Sequence, residues 1–275
     1  MRARVIRHLA AAEFRAVVRA RWSGGFAAAF GMLTLLLSYF GMVHAGFSGF
    51  VGFARTSMSL LSLVTLLVPL VALALGAVRF SGERESLQLL VAQPVSRAEV
   101  LVGRYLGMLG ALELAVLVGF GAAGLVIGGR AGLDGWLRYL VMVALSMALM
   151  AICLALGAWV GVVAQERSRA LGGAIVLWGA LVVVYDLLVM GITAFLSGGV
   201  VRPLLLSMVL ANPVDLVRVL GLLAVGARAS LGAPGAVLAM TLAQLGGRIL
   251  LPLAFLMWLG LPLFGAYQSF RETDL

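Results

Sequence analysis

Two carboxylates, Glu113 and Asp186, stand inside apolar runs long enough to cross a bilayer, and a short charged insertion, residues 80–98, separates two further runs of that kind. A charge near the bilayer centre costs several kcal/mol unless it faces protein or water. Each acid therefore marks either a substrate, proton or ion path or a polar residue satisfied internally, for Asp186 by Tyr185, a serine or a backbone carbonyl. Both readings stand for both residues.

The insertion reads Phe80-Ser-Gly-Glu83-Arg84-Glu85-Ser-Leu87-Gln-Leu89-Leu90-Val-Ala-Gln-Pro94-Val-Ser-Arg97. Polar residues at its start, apolar ones behind them and Pro94 as a stop predict an amphipathic helix of about two or three turns. A short, rigid element joined to a span at each end suits docking into a partner. Leu87 and Leu90 would form the wedge, Glu83, Arg84, Glu85 and Arg97 the polar rim, and Pro94 the stop. The plainer reading is a solvated interfacial loop.

Other chemistry is limited by residue type. All 20 basic residues are Arg and none is Lys, which excludes a G-x-x-x-x-G-K-[ST] phosphate loop and Schiff-base catalysis. Cys153 is the one cysteine, and His8 and His44 are far apart, so no zinc or redox spacing exists. Met42 and His44 lie two apart, but methionine in an apolar chain is ordinarily a packing residue. Gly119-x-Gly121-x-x-Gly124 matches a dinucleotide fingerprint only in letters, because no strand precedes it; with Gly157-x-x-x-Gly161 it predicts close helix packing. No catalytic residue, metal site or cofactor is expected in this chain.

The elements that position these residues follow from composition. The chain is 63% hydrophobic and 11% charged, with a mean hydropathy of +1.13. Those values describe an integral membrane protein. At about 20 residues per span plus connectors, 275 residues hold about six helices and no sizeable soluble domain. Residues 1–22 carry Arg2, Arg4, Arg7, Glu13, Arg15, Arg19 and Arg21, with Ile6, Leu9, Ala10, Phe14, Val17 and Val18 at helical spacing, the pattern of an interfacial amphipathic helix. Spans are expected at 24–45, 57–78, 100–128, 136–164, 170–196 and 249–270, with the insertion between the second and third. Thirteen Arg fall on the side of the N-terminus and insertion against seven on the other, which makes that side, with both termini, cytoplasmic.

Residues 197–247 then lie outside. Residues 229–247 are uncharged but hold Gly232, Pro234, Gly235, Gly246 and Gly247, and are read as non-spanning. Asn212-Pro213-Val-Asp215-Leu-Val-Arg218 suggests short helices folded back at the outer surface, with Asn212 or Asp215 near a helix start.

An interfacial N-terminal helix, two spans, then Glu83-Arg-Glu85-Ser-Leu87-Gln-Leu89-Leu90 with Pro94, Ser96 and Arg97, followed by Val102-Gly103-Arg104, resembles the permease subunit of ABC-2 type transporters. The resemblance covers essentially the whole chain. It implies an elbow helix at the N-terminus, a coupling helix in the insertion seated in a separate nucleotide-binding subunit, and a place in the bacterial inner membrane. A narrower similarity, to the permeases of nitrous-oxide reductase maturation systems, rests on Asn212-Pro213-Val-Asp215-Leu-Val-Arg218, on Asp186 within Val184-Tyr-Asp-Leu-Leu, and on Leu117-Val-Gly-Phe-Gly121. That similarity implies a homodimer with two ATPase subunits below, which hold ATP and Mg. It also implies a periplasmic β-helical partner above, met through Asn212, Pro213, Asp215 and Arg218, and a role in assembling a copper-sulfur centre.

The resulting expectation is an all-α, six-span permease with an N-terminal elbow helix, a cytoplasmic coupling helix and short outer re-entrant helices. It contacts lipid, a second copy and an ATPase, and no nucleic acid. Two alternatives stay open: an ABC-2 exporter of lipid, drug or ion, and an ion-coupled secondary carrier using Glu113 and Asp186.

Overall fold

The computed structural model describes residues 2–44, 49–82, 95–195, 201–226 and 245–272, and every regular element among them is helical. In chain order these are α1 (Ala3–Arg19), α2 (Arg21–His44), α3 (Gly49–Phe80), α4 (Arg97–Ala164), α5 (Arg167–Gly179), a π-helical turn (Ala180–Val184), α6 (Tyr185–Phe195), α7 (Val201–Leu210), α8 (Pro213–Ala224) and α9 (Leu245–Glu272). Six stretches are long and apolar enough to cross a membrane: Arg21–Gly41, Thr56–Phe80, Arg97–Gly121, Gly132–Ala164, Arg167–Ile192 and Ile249–Arg271. The chain is a six-span membrane protein. Helices α7 and α8 form a bent pair with an angle of 112° between them, outside the six.

The third and fourth spans are separate, as expected, but the connector between them, expected at 129–135, is shorter: the helix of Arg97–Ala164 is broken at Gly132, whose φ of 67° and ψ of −178° are open in practice only to glycine. The two halves of α4 pair antiparallel. Tyr105 donates its hydroxyl to Ala151 O at 2.8 Å, and Tyr139 donates to Phe120 O. The turn between α4 and α5 is likewise shorter than expected, since α5 already starts at Arg167.

Burial separates centre from rim. Spans 2, 3 and 4 are 50 to 61% buried inside the protein, whereas spans 1, 5 and 6 are 6 to 17% buried and present most of their apolar surface outward. The centre is the α3–α4 packing of Leu60, Val64, Val68, Leu73 and Ala77 against Met108, Leu112, Leu149, Leu154 and Ala158, with Cys153 buried among them.

Helices with no apolar solvent difference between lipid and partner associate by close packing, which small residues permit. Gly157 and Gly161 fulfil the packing role expected of them: a Cβ on Gly157 would lie 2.5 Å from Leu73 O, and one on Gly161 would collide with Ala77 O. Gly76 returns the contact, since a Cβ on it would lie 2.9 Å from Leu154 O. Gly157→Leu is therefore expected to push α3 off α4 and to cost about 3 kcal/mol, the upper end of overpacking. Gly172→Leu, at a position with nothing within 4 Å, should be silent. Melting of the detergent-solubilised protein, followed by gel filtration, distinguishes the two variants.

Span 1 joins this centre through Thr34, whose hydroxyl is shared between Gly31 O at 2.9 Å and Gly119 O at 3.0 Å, and through Phe30, edge-on to Phe120 at 5.5 Å. Trp178 ties span 5 to span 2 by donating to Leu66 O at 3.0 Å.

Candidate coupling site

Residues 83–94, and with them Glu83, Arg84, Glu85, Leu87, Leu90 and Pro94, lie outside the described residues, as do 227–244. The two roots of the insertion are described, and each is fastened to other parts of the chain.

The first root is the end of α3. Phe80 and Ser81 are buried, and Ser81 donates its hydroxyl to Val78 O at 3.0 Å. Gly82, at φ 74°, turns its N–H to Gln165 O at 2.7 Å, which fixes the chain leaving span 2 to the turn between spans 4 and 5. The second root opens α4. Ser96 caps it by accepting from the Glu99 N–H at 3.2 Å, and Glu99 returns to the Ser96 N–H at 3.0 Å, a reciprocal box that satisfies two otherwise orphaned donors. The other oxygen of Glu99 accepts the Arg2 backbone N–H, so the beginning of the chain is tied to the same spot.

Arg97, expected on the rim of a docking helix, is turned instead to the last span. Its Nη1 donates to Phe270 O at 2.6 Å and Arg271 O at 3.0 Å, and its guanidinium stacks 5.9 Å over the Phe270 ring. A cation on the last carbonyls of α9 satisfies orphan acceptors and complements the helix dipole.

Glu13 completes the arrangement. It is the lone acid of α1, and it accepts from Arg79 Nε at 3.0 Å and lies 3.8 Å from Arg104 Nε. Arg79 ends the span before the insertion and Arg104 follows the span start after it, so one carboxylate holds both roots. Helix α1 reaches this position because Gly103 and Gly107 leave a shallow groove on α4; a Cβ there would lie 2.7 Å from Leu9 Cβ and 2.8 Å from Glu13 Cβ respectively. Sequence reading passes over this cluster, although Glu13 has the helical phase of Ile6 and Val17 and the opposite phase to Arg4 and Arg15.

At the far end of the bundle the bent pair α7–α8 is held by side chains from three spans. Of the two helix-start candidates, Asn212 and Asp215, it is Asn212 that caps α8: its Oδ1 accepts the Val214 N–H at 2.9 Å. Its Nδ2 donates to Leu181 O at 2.7 Å, inside the π-helical turn of span 5. An extra residue per turn displaces carbonyls from the regular ladder, and here a side chain takes one of them. Tyr185 donates to Met208 O at 2.6 Å, Trp258 to Leu210 O at 2.9 Å, and Arg138 to Ala224 O at 3.4 Å. Thus exposed C-terminal carbonyls of α7 and α8 find donors on spans 4, 5 and 6.

Asp186 also finds its partner here. Arg218 Nη1 donates to Asp186 Oδ1 at 2.7 Å and Oδ2 at 2.6 Å, and is 3.2 Å from Asp215 Oδ1. Asp186 is thus paired with a guanidinium, a partner not considered from sequence. Burial, against the opposing pull of Arg218, raises the Asp215 carboxyl above its ordinary range. Asn212, Pro213 and Asp215 are buried and Arg218 is half-buried, so these four side chains shape the α7–α8 pair from inside. Glu113 is half-buried on span 3, with no hydrogen bond or ion pair among the described residues. The structure does not bring Glu113 and Asp186 together: they are on different spans, and Asp186 is committed to Arg218.

A charged insertion is fastened at both roots at one end of the bundle, and a helical pair is strapped across spans at the other. The profile of the ABC-2 family transporter proteins matches residues 7–275. The probable ABC transporter permease protein NosY of Pseudomonas aeruginosa is 33% identical over 280 aligned positions, 98% of this chain and 99% of that protein. The protein of the same name from Stutzerimonas stutzeri is 32% identical over 210 positions, 73% of each chain. With six spans, a motif-bearing insertion and full-length similarity to permeases, the chain belongs to the ABC-2 transporter family, as a multi-pass permease subunit of an ABC transporter.

Proposed function

We propose that this permease works as a homodimer in the bacterial inner membrane, with both termini and the 80–98 insertion in the cytoplasm. A separate ATPase subunit, which holds ATP and Mg, docks on the insertion. Glu83, Arg84 and Glu85 contact it as a polar rim, Leu87 and Leu90 enter its cleft, Pro94 ends the docking helix, and Arg97 anchors that helix to the last span. The single observation that carries this reading is the fastening of both insertion roots to α1, to the turn between spans 4 and 5, and to the end of α9. Force applied to a loosely held loop would be dissipated in the loop; force applied here reaches spans 2, 3, 4 and 6.

The far-end pair α7–α8 is the receiving element in this reading. It meets a periplasmic β-helical partner, with Asn212, Pro213, Asp215 and Arg218 holding its shape, and the cycle serves assembly of the copper-sulfur centre of nitrous-oxide reductase. The NosY name of the relatives and the Asn212-Pro213-Val-Asp215 segment support this finer assignment. Neither copper nor a cofactor is held by this chain.

Mild-detergent purification of the tagged protein from native membranes, with mass-spectrometric stoichiometry, tests the whole reading. Two permeases, two ATPases and a periplasmic β-helical protein are expected. An ATPase without the outer partner would reduce the proposal to a general ABC-2 exporter of lipid, drug or ion. The chain alone, under conditions where a control complex survives, would favour the ion-coupled carrier.

A further inference from the structure

The coupling site leaves one face of α1 unused. Ile6, Leu9, Val17 and Glu13 turn to the bundle; on the opposite face Arg4, Arg7, His8, Arg15 and Arg19 are all exposed. Arg15 Nε bonds its own helix at Ala11 O, 3.1 Å away. Arg4, Arg7, His8 and Arg19 have no acidic partner among the described residues, and the sole acid of the helix is committed to Arg79 and Arg104 on the other side. From Arg4 to Arg19 the row extends about 22 Å at 1.5 Å per residue. Near its start, Arg4, Arg7, His8 and Ala11 line a concavity of about 410 Å³.

The depth of this row follows from Glu13. That carboxylate binds Arg79 at the end of span 2 and Arg104 just inside the start of span 3, so α1 lies where two spans leave the apolar layer. At the same helix end Val18 and Trp22 are exposed, an apolar and an aromatic side chain of the kind that anchors at the membrane boundary. A cationic row at that depth faces headgroups, and guanidinium groups bind phosphate oxygens in pairs.

We propose that the Arg4–Arg7–His8 concavity binds the phosphodiester headgroup of an anionic phospholipid, with the adjoining Arg15 and Arg19 facing neighbouring headgroups. The lipid would hold α1 at the membrane surface on one face while Glu13, on the other, holds the insertion roots. Only this second consequence, that the bound lipid stiffens the coupling site, rests on the proposed ATPase coupling. Headgroup binding itself does not, so the two fail separately.

The test is native mass spectrometry of the purified permease, without ATPase, titrated with phosphatidylglycerol or phosphatidylcholine. Phosphatidylglycerol is expected to be retained the more strongly, and Arg4→Gln with Arg7→Gln to weaken its retention on the order of 25-fold, about fivefold per cation removed near an anionic surface. Arg169→Gln, which removes an exposed cation paired with Glu166, should change retention less than twofold. Equal retention of the two lipids, or undiminished phosphatidylglycerol binding by the double variant, would overturn the proposal. In a parallel mild-detergent purification from native membranes, a double variant that keeps its lipid but loses the co-purifying ATPase would also overturn it, since the row would then be a protein-docking face.

Discussion

Replacing Arg218 by Met is expected to loosen the far end of the bundle by about 2 kcal/mol. The change leaves Asp186 and Asp215, both now within reach of one guanidinium nitrogen at 2.6 and 3.2 Å, facing each other without a counter-charge. Breaking a fully buried pair by removing one partner costs about 3–5 kcal/mol, because the remaining charge keeps its desolvation penalty. The lower figure applies here because the Asp186 side chain is 40% exposed and partly screened. In a chain of this size about 2 kcal/mol corresponds to a fall of roughly 5 °C in melting temperature. Asp186→Asn alone should be milder, since Arg218 keeps Asp215. Adding Asp186→Asn to Arg218→Met should recover part of the loss, because only one acid then lacks a partner. Thermal melting of the three variants in one detergent provides the cycle; a double variant no more stable than Arg218→Met would mean that the two side chains do not act as a unit.

How much of this was readable in advance depended on the scale of the interaction. The six spans follow from apolar length alone, a property of about 20 residues at a time that no tertiary contact reverses. A helix start near Asn212 or Asp215 is legible because a cap is local, and Asn212 is the one that caps, satisfying a donor two residues away. The same residue's second bond, to Leu181 O, was not legible, because the displaced carbonyl exists only where span 5 makes its π-helical turn, and Ala180–Val184 has no proline or polar residue to mark it. Asp186 and Arg218 were each visible as charges out of place, yet they are 32 residues apart and sequence spacing gave no pairing. Arg97 shows the same limit. It follows Ser96 and Pro94 in a charged segment and reads naturally as part of that segment's surface, but its partners are carbonyls 173 and 174 positions away. Gly157 and Gly161 were legible as a packing face, while their partner helix was not.

Glu85→Lys, and more severely deletion of Leu87–Leu90, is expected to abolish coupling while leaving the permease inserted and folded. Under the proposed docking mode a reversed charge on the rim would oppose docking, and loss of the wedge would remove the apolar area that seats the insertion in the ATPase cleft. Neither change touches the fastened roots: Gly82 keeps Gln165 O, Glu99 keeps Ser96, and Arg97 keeps the end of α9. A monodisperse gel-filtration profile is therefore expected for both, together with at least a tenfold loss of ATPase co-purification for the deletion. Glu13→Gln should behave differently. The insertion is intact, so the ATPase should still dock, but Arg79 and Arg104 lose the carboxylate that holds them together, and substrate- or partner-stimulated ATP hydrolysis in vesicles should fall severalfold. Separation of docking from coupling by these variants is the result that a rigidly rooted coupling element requires. If Glu13→Gln kept full stimulation, the Glu13 tie would have no part in transmission; if the Leu87–Leu90 deletion kept its ATPase, the docking surface would lie elsewhere on the chain.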